Sequence, residues 1–310
     1  MKTCSVDSGV TITAVYAFCP IDRKHLPELR TELLAFGKAH NMRGLTLLAT
    51  EGINGTVCGT EEAIATWKVL LTEKFGPIVF KDSVATTPVF KRWSVKIKPE
   101  IVAIKLDSVQ PNGRHRHLTP MEWQKTLESE DVTIIDTRNH FEVTVGKFRG
   151  AIDPQITSFS EFPKYVRNAG ISKDTKVMLY CTGCIRCEKA LIAMEQEGYT
   201  NVFQLEGGIL AYLQQFPEKA FEGECFVFDK RVAVNQHLQP SETYGICPHC
   251  GEPCSLRITC AECSHHAMIC QRCNTEEHRR TCSKNCAGIH QRHAQKNLLA
   301  TAKSRGYGEQ

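Results

Sequence analysis

The sequence has no apolar run that approaches the length needed to span a bilayer, and its opening, Met1-Lys2-Thr3-Cys4-Ser5-Val6-Asp7, has no hydrophobic signal core. Neither a membrane protein nor a secreted one is expected; the chain reads as soluble and cytoplasmic. Charge of one sign is also scarce. The net charge is only +4 over 310 residues, so there is no global basic field, and any nucleic-acid surface has to be local. Cysteine, by contrast, is abundant. In a small secreted protein sixteen cysteines would mean disulfides, but in a long chain without a secretion signal they point to metal and redox chemistry. Nine of them lie between Cys247 and Cys286, and the length allows two or three domains with their own cores.

The most informative cysteine lies outside that cluster. Val177-Met178-Leu179-Tyr180 is a short apolar run of strand type that delivers Cys181 into the loop Thr182-Gly183-Cys184-Ile185-Arg186-Cys187, which runs into the helical composition of Glu188 through Glu195. Backbone N–H groups of such a loop and of the first helical turn converge inward and favour negative charge, so Cys181 is expected to be a thiolate near neutral pH. Arg186 adds a full positive charge, and Cys187 is placed to resolve an oxidised Cys181 or to serve as a structural helix-start thiol. Only four residues separate Cys181 from Arg186, one too few to wrap a tetrahedral phosphate, which disfavours phosphate ester hydrolysis. Cys181, Cys184 and Cys187 also open a C-x2-C-x2-C pattern, but the next cluster ligand would fall on Leu191. The enzymatic reading requires a sulfur open to solvent, with amides pointing at it.

Upstream, Thr11–Phe18, Leu45–Ala49, Thr56–Cys58 and Ile78–Phe80 read as strands, with helices over Leu26–His40 and after a Thr60 cap. Gly52-Ile53-Asn54-Gly55 reads as a turn between strands. The order β-α-β-β-α-β is a split βαβ, ferredoxin-like plan. The most basic long segment follows it: Phe90, Lys91, Arg92, Trp93, Lys96 and Lys98, then Lys105, Arg114, His115, Arg116 and His117. Lys91, Arg92, Trp93, Lys96 and Lys98 are the candidate RNA-binding residues, with cations for phosphate and Phe90 and Trp93 as stacking platforms; a solvated lysine face over a core strand gives the same pattern.

Farther along, Thr119-Pro120-Met121-Glu122 has the form of a capping box, and strands at Val132–Ile135, Val177–Tyr180 and Val202–Leu205 alternate with helices as in a parallel α/β sheet, which binds ligands at strand carboxyl ends. Phe226–Val234 reads as a further strand. Four cysteine pairs then follow. Two thiolates from one tight turn can reach the same tetrahedral ion, so Cys247, Cys250, Cys270 and Cys273 are candidate ligands of one structural zinc, and Cys260, Cys263, Cys282 and Cys286 of a second; Cys254 is left over, and a histidine could enter either set.

Several motifs carry a family resemblance. Asp136-Thr137-Arg138, Gly150-Ala151-Ile152, the Cys181 loop and Glu206-Gly207-Gly208 resemble a single rhodanese domain, in which Asp136 and Arg138 would be framework. Glu51-Gly52-Ile53-Asn54-Gly55-Thr56, Lys98-Pro99-Glu100-Ile101-Val102 and Ile185-Arg186-Cys187-Glu188-Lys189-Ala190 extend the likeness to the rhodanese-containing, oxygen-dependent tRNA uridine hydroxylases. That resemblance implies a ferredoxin-like (acylphosphatase-like) domain over residues 1–112, a rhodanese-like α/β catalytic domain over 113–222, a linker strand and cysteine-rich zinc module over 223–290, and a basic tail over 291–310. It further implies tRNA as partner, with no membrane and no DNA, molecular oxygen as co-substrate, a reductant the sequence does not identify, and conversion of the wobble uridine to 5-hydroxyuridine. In this reading Cys181, Arg186 and Cys187 are catalytic, with the backbone of Thr182, Gly183, Cys184 and Ile185 as the cradle. A persulfide-carrying sulfurtransferase and a noncatalytic RNA- or protein-binding adaptor are the alternatives. In one place the sequence departs from the family loop, which reads Cys-Thr-Gly-Gly-Ile-Arg-Cys: Cys184 stands at the second glycine, where a positive φ would strain any side chain.

Overall fold

The computed structural model describes residues 9–111 and 116–305, with side chains through residue 296. The chain divides into two compact units, Met1–Pro240 and Ser241–Gln310. Among the described residues no helix is long and apolar enough to cross a membrane.

The first unit opens with β1 (Val10–Phe18), α1 (Leu26–Ala39), β2 (Arg43–Ala49), β3 (Gly52–Gly59), α2 (Glu61–Phe75), β4 (Phe80–Ala85) and β5 (Trp93–Ile97). The sheet order β4-β1-β3-β2 is the expected split βαβ arrangement, and β5 is added beside β2, parallel to it, at the edge. Thr60 caps α2 by accepting from the Ala63 amide, with Glu61 and Glu62 in its first turn. The helix buries Ile64, Trp67 and Leu71 against Val15, Leu33, Leu48, Ile53 and Val57. Two local expectations are corrected. Gly52-Ile53-Asn54-Gly55 is the start of β3, and the turn is the shorter Thr50-Glu51. Gly52 serves close strand approach: a Cβ there would lie 1.9 Å from the Ala17 carbonyl oxygen. Ile78 and Val79 precede the last strand, which begins only at Phe80.

A second sheet comprises β6 (His117–Leu118), β7 (Thr133–Asp136), β9 (Val177–Tyr180) and β10 (Val202–Leu205), in the order β6-β10-β9-β7 and parallel throughout. Around it lie α3 (Pro120–Ser129), α4 (His140–Val143), β8 (Gly146–Phe148), α5 (Phe162–Asn168), α6 (Ile185–Gln196) and α7 (Gly208–Gln215). The capping box of Thr119 and Glu122 forms at α3 as the sequence implies. Strand β9 is buried on both faces. Val177 and Leu179 pack with Leu191 and Phe162, whereas Met178 and Tyr180 pack with Trp123 and Phe148, as alternating side chains of a covered parallel strand must.

β11 (Phe221–Gly223) then pairs with β8, and β12 (Cys225–Phe226) pairs with β13 (Ala233–Val234). The single strand expected over Phe226–Val234 is therefore a hairpin, its turn held by the ion pair of Arg231 with Asp229 at 2.6 Å. The second unit contains β14 (Gly245–Ile246), β15 (Pro253–Cys254), β16 (Leu256–Thr259), β17 (His266–Ile269), α8 (Gln271–Asn274) and α9 (Lys284–Arg305). The backbone of the basic tail is thus the continuation of α9. Arg114, His115 and residues 306–310 lie outside the described residues.

One buried ammonium joins the two sheets of the first unit. Lys189, on α6, is 2.8 Å from Glu51, 2.5 Å from Glu100 and 2.9 Å from the Val102 carbonyl. Three sequence motifs that are far apart in the chain meet there.

Candidate active site

Strand β9 ends at Tyr180, and the loop after it returns at once into α6, so Cys181 sits at a strand carboxyl end and a helix start together. The Gly183 and Arg186 amides and the Cys187 thiol all donate to its sulfur. Burial opposes ionisation of Cys181, but these donors and the Arg186 charge outweigh it and hold the thiol down to about 5. The neighbouring Cys187 is pushed up by burial and by the facing Cys181, which fits its role as the proton donor of the pair; its sulfur also lies 3.6 Å from the Thr137 hydroxyl. Behind the loop, α7 donates the Ile209 amide to the Cys181 carbonyl at 3.0 Å. Gly208, at φ +69°, makes that approach possible, since a Cβ would lie 2.6 Å from the same oxygen.

The Arg186 guanidinium does not reach into the loop as a free fork. It forms a buried bidentate pair with Glu142 at 2.6 and 2.9 Å, and so acts on Cys181 through its charge. Asp136 and Arg138 are a second buried pair, at 2.7 Å, with Arg138 also donating to the Gly146 carbonyl, in keeping with a framework role. Cys184 caps α6 at φ +80°, in the left-handed region. A side chain there costs on the order of 1–3 kcal/mol, so the strain anticipated for this substitution is present.

The expectation of an open sulfur is overturned: Cys181 is 0 % exposed. The reason lies in the first sheet, which the loop sequence does not report. Tyr16 of β1 packs on the core containing Cys181, and Lys81 of β4 donates to the Gly183 carbonyl. The Lys81 ammonium is itself buried, which lowers its pKa, and it faces Cys184, Cys181, Cys187 and Glu188.

In the basic segment Lys91, Arg92, Lys96 and Lys98 are exposed. Trp93 is not a stacking platform. Its ring packs edge-on against Trp67, with centroids 5.5 Å apart, and fills the space that Gly37 leaves on α1. Phe90 likewise packs on Ile12, Cys58 and Val89. The bulky rings serve the fold, and the cations face solvent together with Ile97.

In the second unit Cys247, Cys250, Cys270 and Cys273 form one group, and Cys260, Cys263, Cys282 and Cys286 the other, each with all sulfurs within 4.8 Å. Four thiols at such spacing fit a closed tetrahedral ion. Cys254 stays outside both groups, its sulfur 3.5 Å from the Gly245 carbonyl, and His249 is engaged with the Thr281 carbonyl at 2.9 Å.

Sequence reasoning missed Glu142, Tyr16 and Lys81. The capping box of Asn139 and Glu142 marks a helix start but does not point to Arg186; Tyr16 and Lys81 reach the loop only because one sheet docks on another.

Comparison with known proteins agrees with this architecture. The chain matches the UPF0176 acylphosphatase like domain over residues 10–101, the Rhodanese-like domain over 119–215 and the Rhodanase C-terminal family over 222–287. It is 44% identical over 282 residues to a tRNA uridine(34) hydroxylase of Bdellovibrio bacteriovorus, covering 89% of this chain and 80% of that one. Proteins of the same name from Sinorhizobium medicae and Prochlorococcus marinus are 38% and 37% identical, over 86% and 79% of this chain and 87% and 82% of theirs.

Proposed function

The chain belongs to the tRNA uridine(34) hydroxylase family, and from this premise we propose that Cys181 is the residue through which it engages the base. The chain is an enzyme that hydroxylates the wobble uridine of tRNA. The observation that carries the assignment to Cys181 is the ring of donors on its sulfur, which favours the thiolate in spite of full burial.

C6 of uracil is electrophilic. Addition of the Cys181 thiolate there forms a C–S bond and leaves enolate character at C5, the atom to be hydroxylated. The Gly183 and Arg186 amides, with the Arg186 charge, stabilise the thiolate before addition and again when it leaves on elimination. Dioxygen supplies one atom to C5; the other leaves as water, taking two electrons from a reductant outside the chain. Loss of the C5 proton and elimination of the thiolate restore the ring as 5-hydroxyuridine. The open sulfur that the sequence reading required is absent in this conformation, so engagement of the base through Cys181 requires the loop to open, with Tyr16 and Lys81 moving off it.

Lys91, Arg92, Lys96 and Lys98 supply phosphate contacts on the edge strand β5, so residues 1–112 hold tRNA while 113–222 carry the chemistry. Residues 223–290 hold two structural zinc ions in the two sets of four cysteines, the 291–310 tail adds basic contacts, and the protein works in the cytoplasm. Nucleoside mass spectrometry of tRNA from cells expressing Cys181→Ser in place of the natural chain tests the assignment. The variant folds and 5-hydroxyuridine disappears; retained 5-hydroxyuridine would reject covalent engagement, and loss of a thiolated nucleoside instead would favour sulfur transfer.

A further inference from the structure

Beside the Cys181 loop three side chains converge that take no part in the chemistry above. The Cys184 sulfur, a Glu188 carboxylate oxygen and a ring nitrogen of His117 all lie within 4.8 Å of one another. Cys184 caps α6 and Glu188 is four residues on, so the two share one face of the helix start. His117 comes from the edge strand β6, and its Nε2 is 3.2 Å from Glu188 Oε1.

We propose that His117, Cys184 and Glu188 bind one divalent transition-metal ion, of the class that accepts thiolate, imidazole and carboxylate together, such as zinc or cobalt.

The donor set selects this class, because a thiolate is a poor ligand for calcium or magnesium, and one nitrogen, one sulfur and one oxygen are all suitable for zinc. Bonds of about 2.0–2.3 Å imply tetrahedral edges of roughly 3.3–3.8 Å, so the His117 and Glu188 atoms are already near their required separation. Among the outer contacts the Tyr16 hydroxyl donates to Glu188 at 3.2 Å and orients its carboxylate. The Gln204 amide, 2.9 Å from His117 Nε2 and accepting from the Cys184 thiol at 3.5 Å, touches the ligand atoms themselves and has to be displaced from them when the ion binds.

Burial and the neighbouring Cys181 and Glu188 push the Cys184 thiol up, so binding would take its proton, and a bound cation would act on the sulfur in the same sense as the Lys81 ammonium. Cys184 and Glu188 are buried at 1 % and 6 %, whereas the His117 side chain is 32 % exposed, which leaves an entry from solvent and a fourth coordination position on that side.

The test compares the metal content of full-length wild type, Cys184→Gly and His117→Ala after equilibrium dialysis against zinc, read by inductively coupled plasma mass spectrometry. Wild type should hold one more ion per chain than either variant, whatever the cysteine-rich unit holds in all three. Cobalt added to the zinc-loaded proteins should give a thiolate-to-metal charge-transfer band in wild type that Cys184→Gly lacks. Equal metal content, or the same cobalt spectrum in wild type and Cys184→Gly, would overturn the site. Glycine adopts the left-handed backbone freely, so Cys184→Gly does not lose metal by failing to fold, and circular dichroism checks both variants.

Discussion

At Cys181 burial and hydrogen bonding oppose each other, and the donors win. The sign of the resulting pH dependence follows from this. A thiol held below its unfolded value stabilises the folded chain fully above the ordinary thiol range, and that contribution is lost as pH falls through about 5. The ultraviolet thiolate absorbance of wild type minus Cys181→Ser should therefore titrate near that value. Cys187 is the largest of the stabilising donors, so Cys187→Ala should move the midpoint up by roughly one to two pH units. An unmoved midpoint would leave the amides and Arg186 as the sole cause. The nucleophile was legible in the sequence because a strand, a small-residue loop and a helix start are local signals. The burial of its sulfur was not, because Tyr16 and Lys81 arrive from strands of the other sheet, far earlier in the chain.

Elements were legible wherever periodicity and caps agreed, as in α2 behind Thr60 and α3 behind Thr119. Gly52-Ile53-Asn54-Gly55 misled because glycine serves two ends, positive φ in turns and close approach in sheets, and composition alone does not separate them. Trp93 misled for a related reason: an aromatic among lysines has the pattern of a nucleic-acid platform, yet β5 turns the ring inward to Trp67. How the elements dock was not legible, and Lys189 is the clearest case. Its ammonium, 1 % exposed, pairs with Glu51 and Glu100 at once. Lys189→Met should leave two carboxylates facing each other across a buried gap and destabilise the first unit by about 3–5 kcal/mol, measured by urea unfolding. Adding Glu51→Gln and Glu100→Gln to that variant should restore most of the loss, since the penalty comes from uncompensated charge and not from lost volume.

Across the whole chain the two units draw their stability from different sources. The first has two parallel-sheet cores and the split βαβ core, built from large aliphatic and aromatic residues, and it contains all three tryptophans, Trp67, Trp93 and Trp123. The second has little apolar material to bury. Among its described residues the core is chiefly Cys247, Cys254, Cys270 and Cys273 around Ile269, with Leu256, Ile258 and Met268 only partly covered. A unit of that size with so small a core needs cross-links, and thiol groups placed within reach of a common ion supply them when metal is bound. Removal of metal with a strong chelator under reducing conditions should therefore unfold residues 241–310 while residues 9–240 stay folded. Hydrogen exchange read by mass spectrometry would show amide protection lost in β14 to β17 and retained in β1, β3 and β9. Tryptophan fluorescence, which reports only on the first unit, should hardly change in the same sample. Protection that survives chelation in β16 and β17 would mean that their pairing and Ile269 suffice without an ion, and the two cysteine sets would then have to be read as a thiol store instead of a metal-built fold.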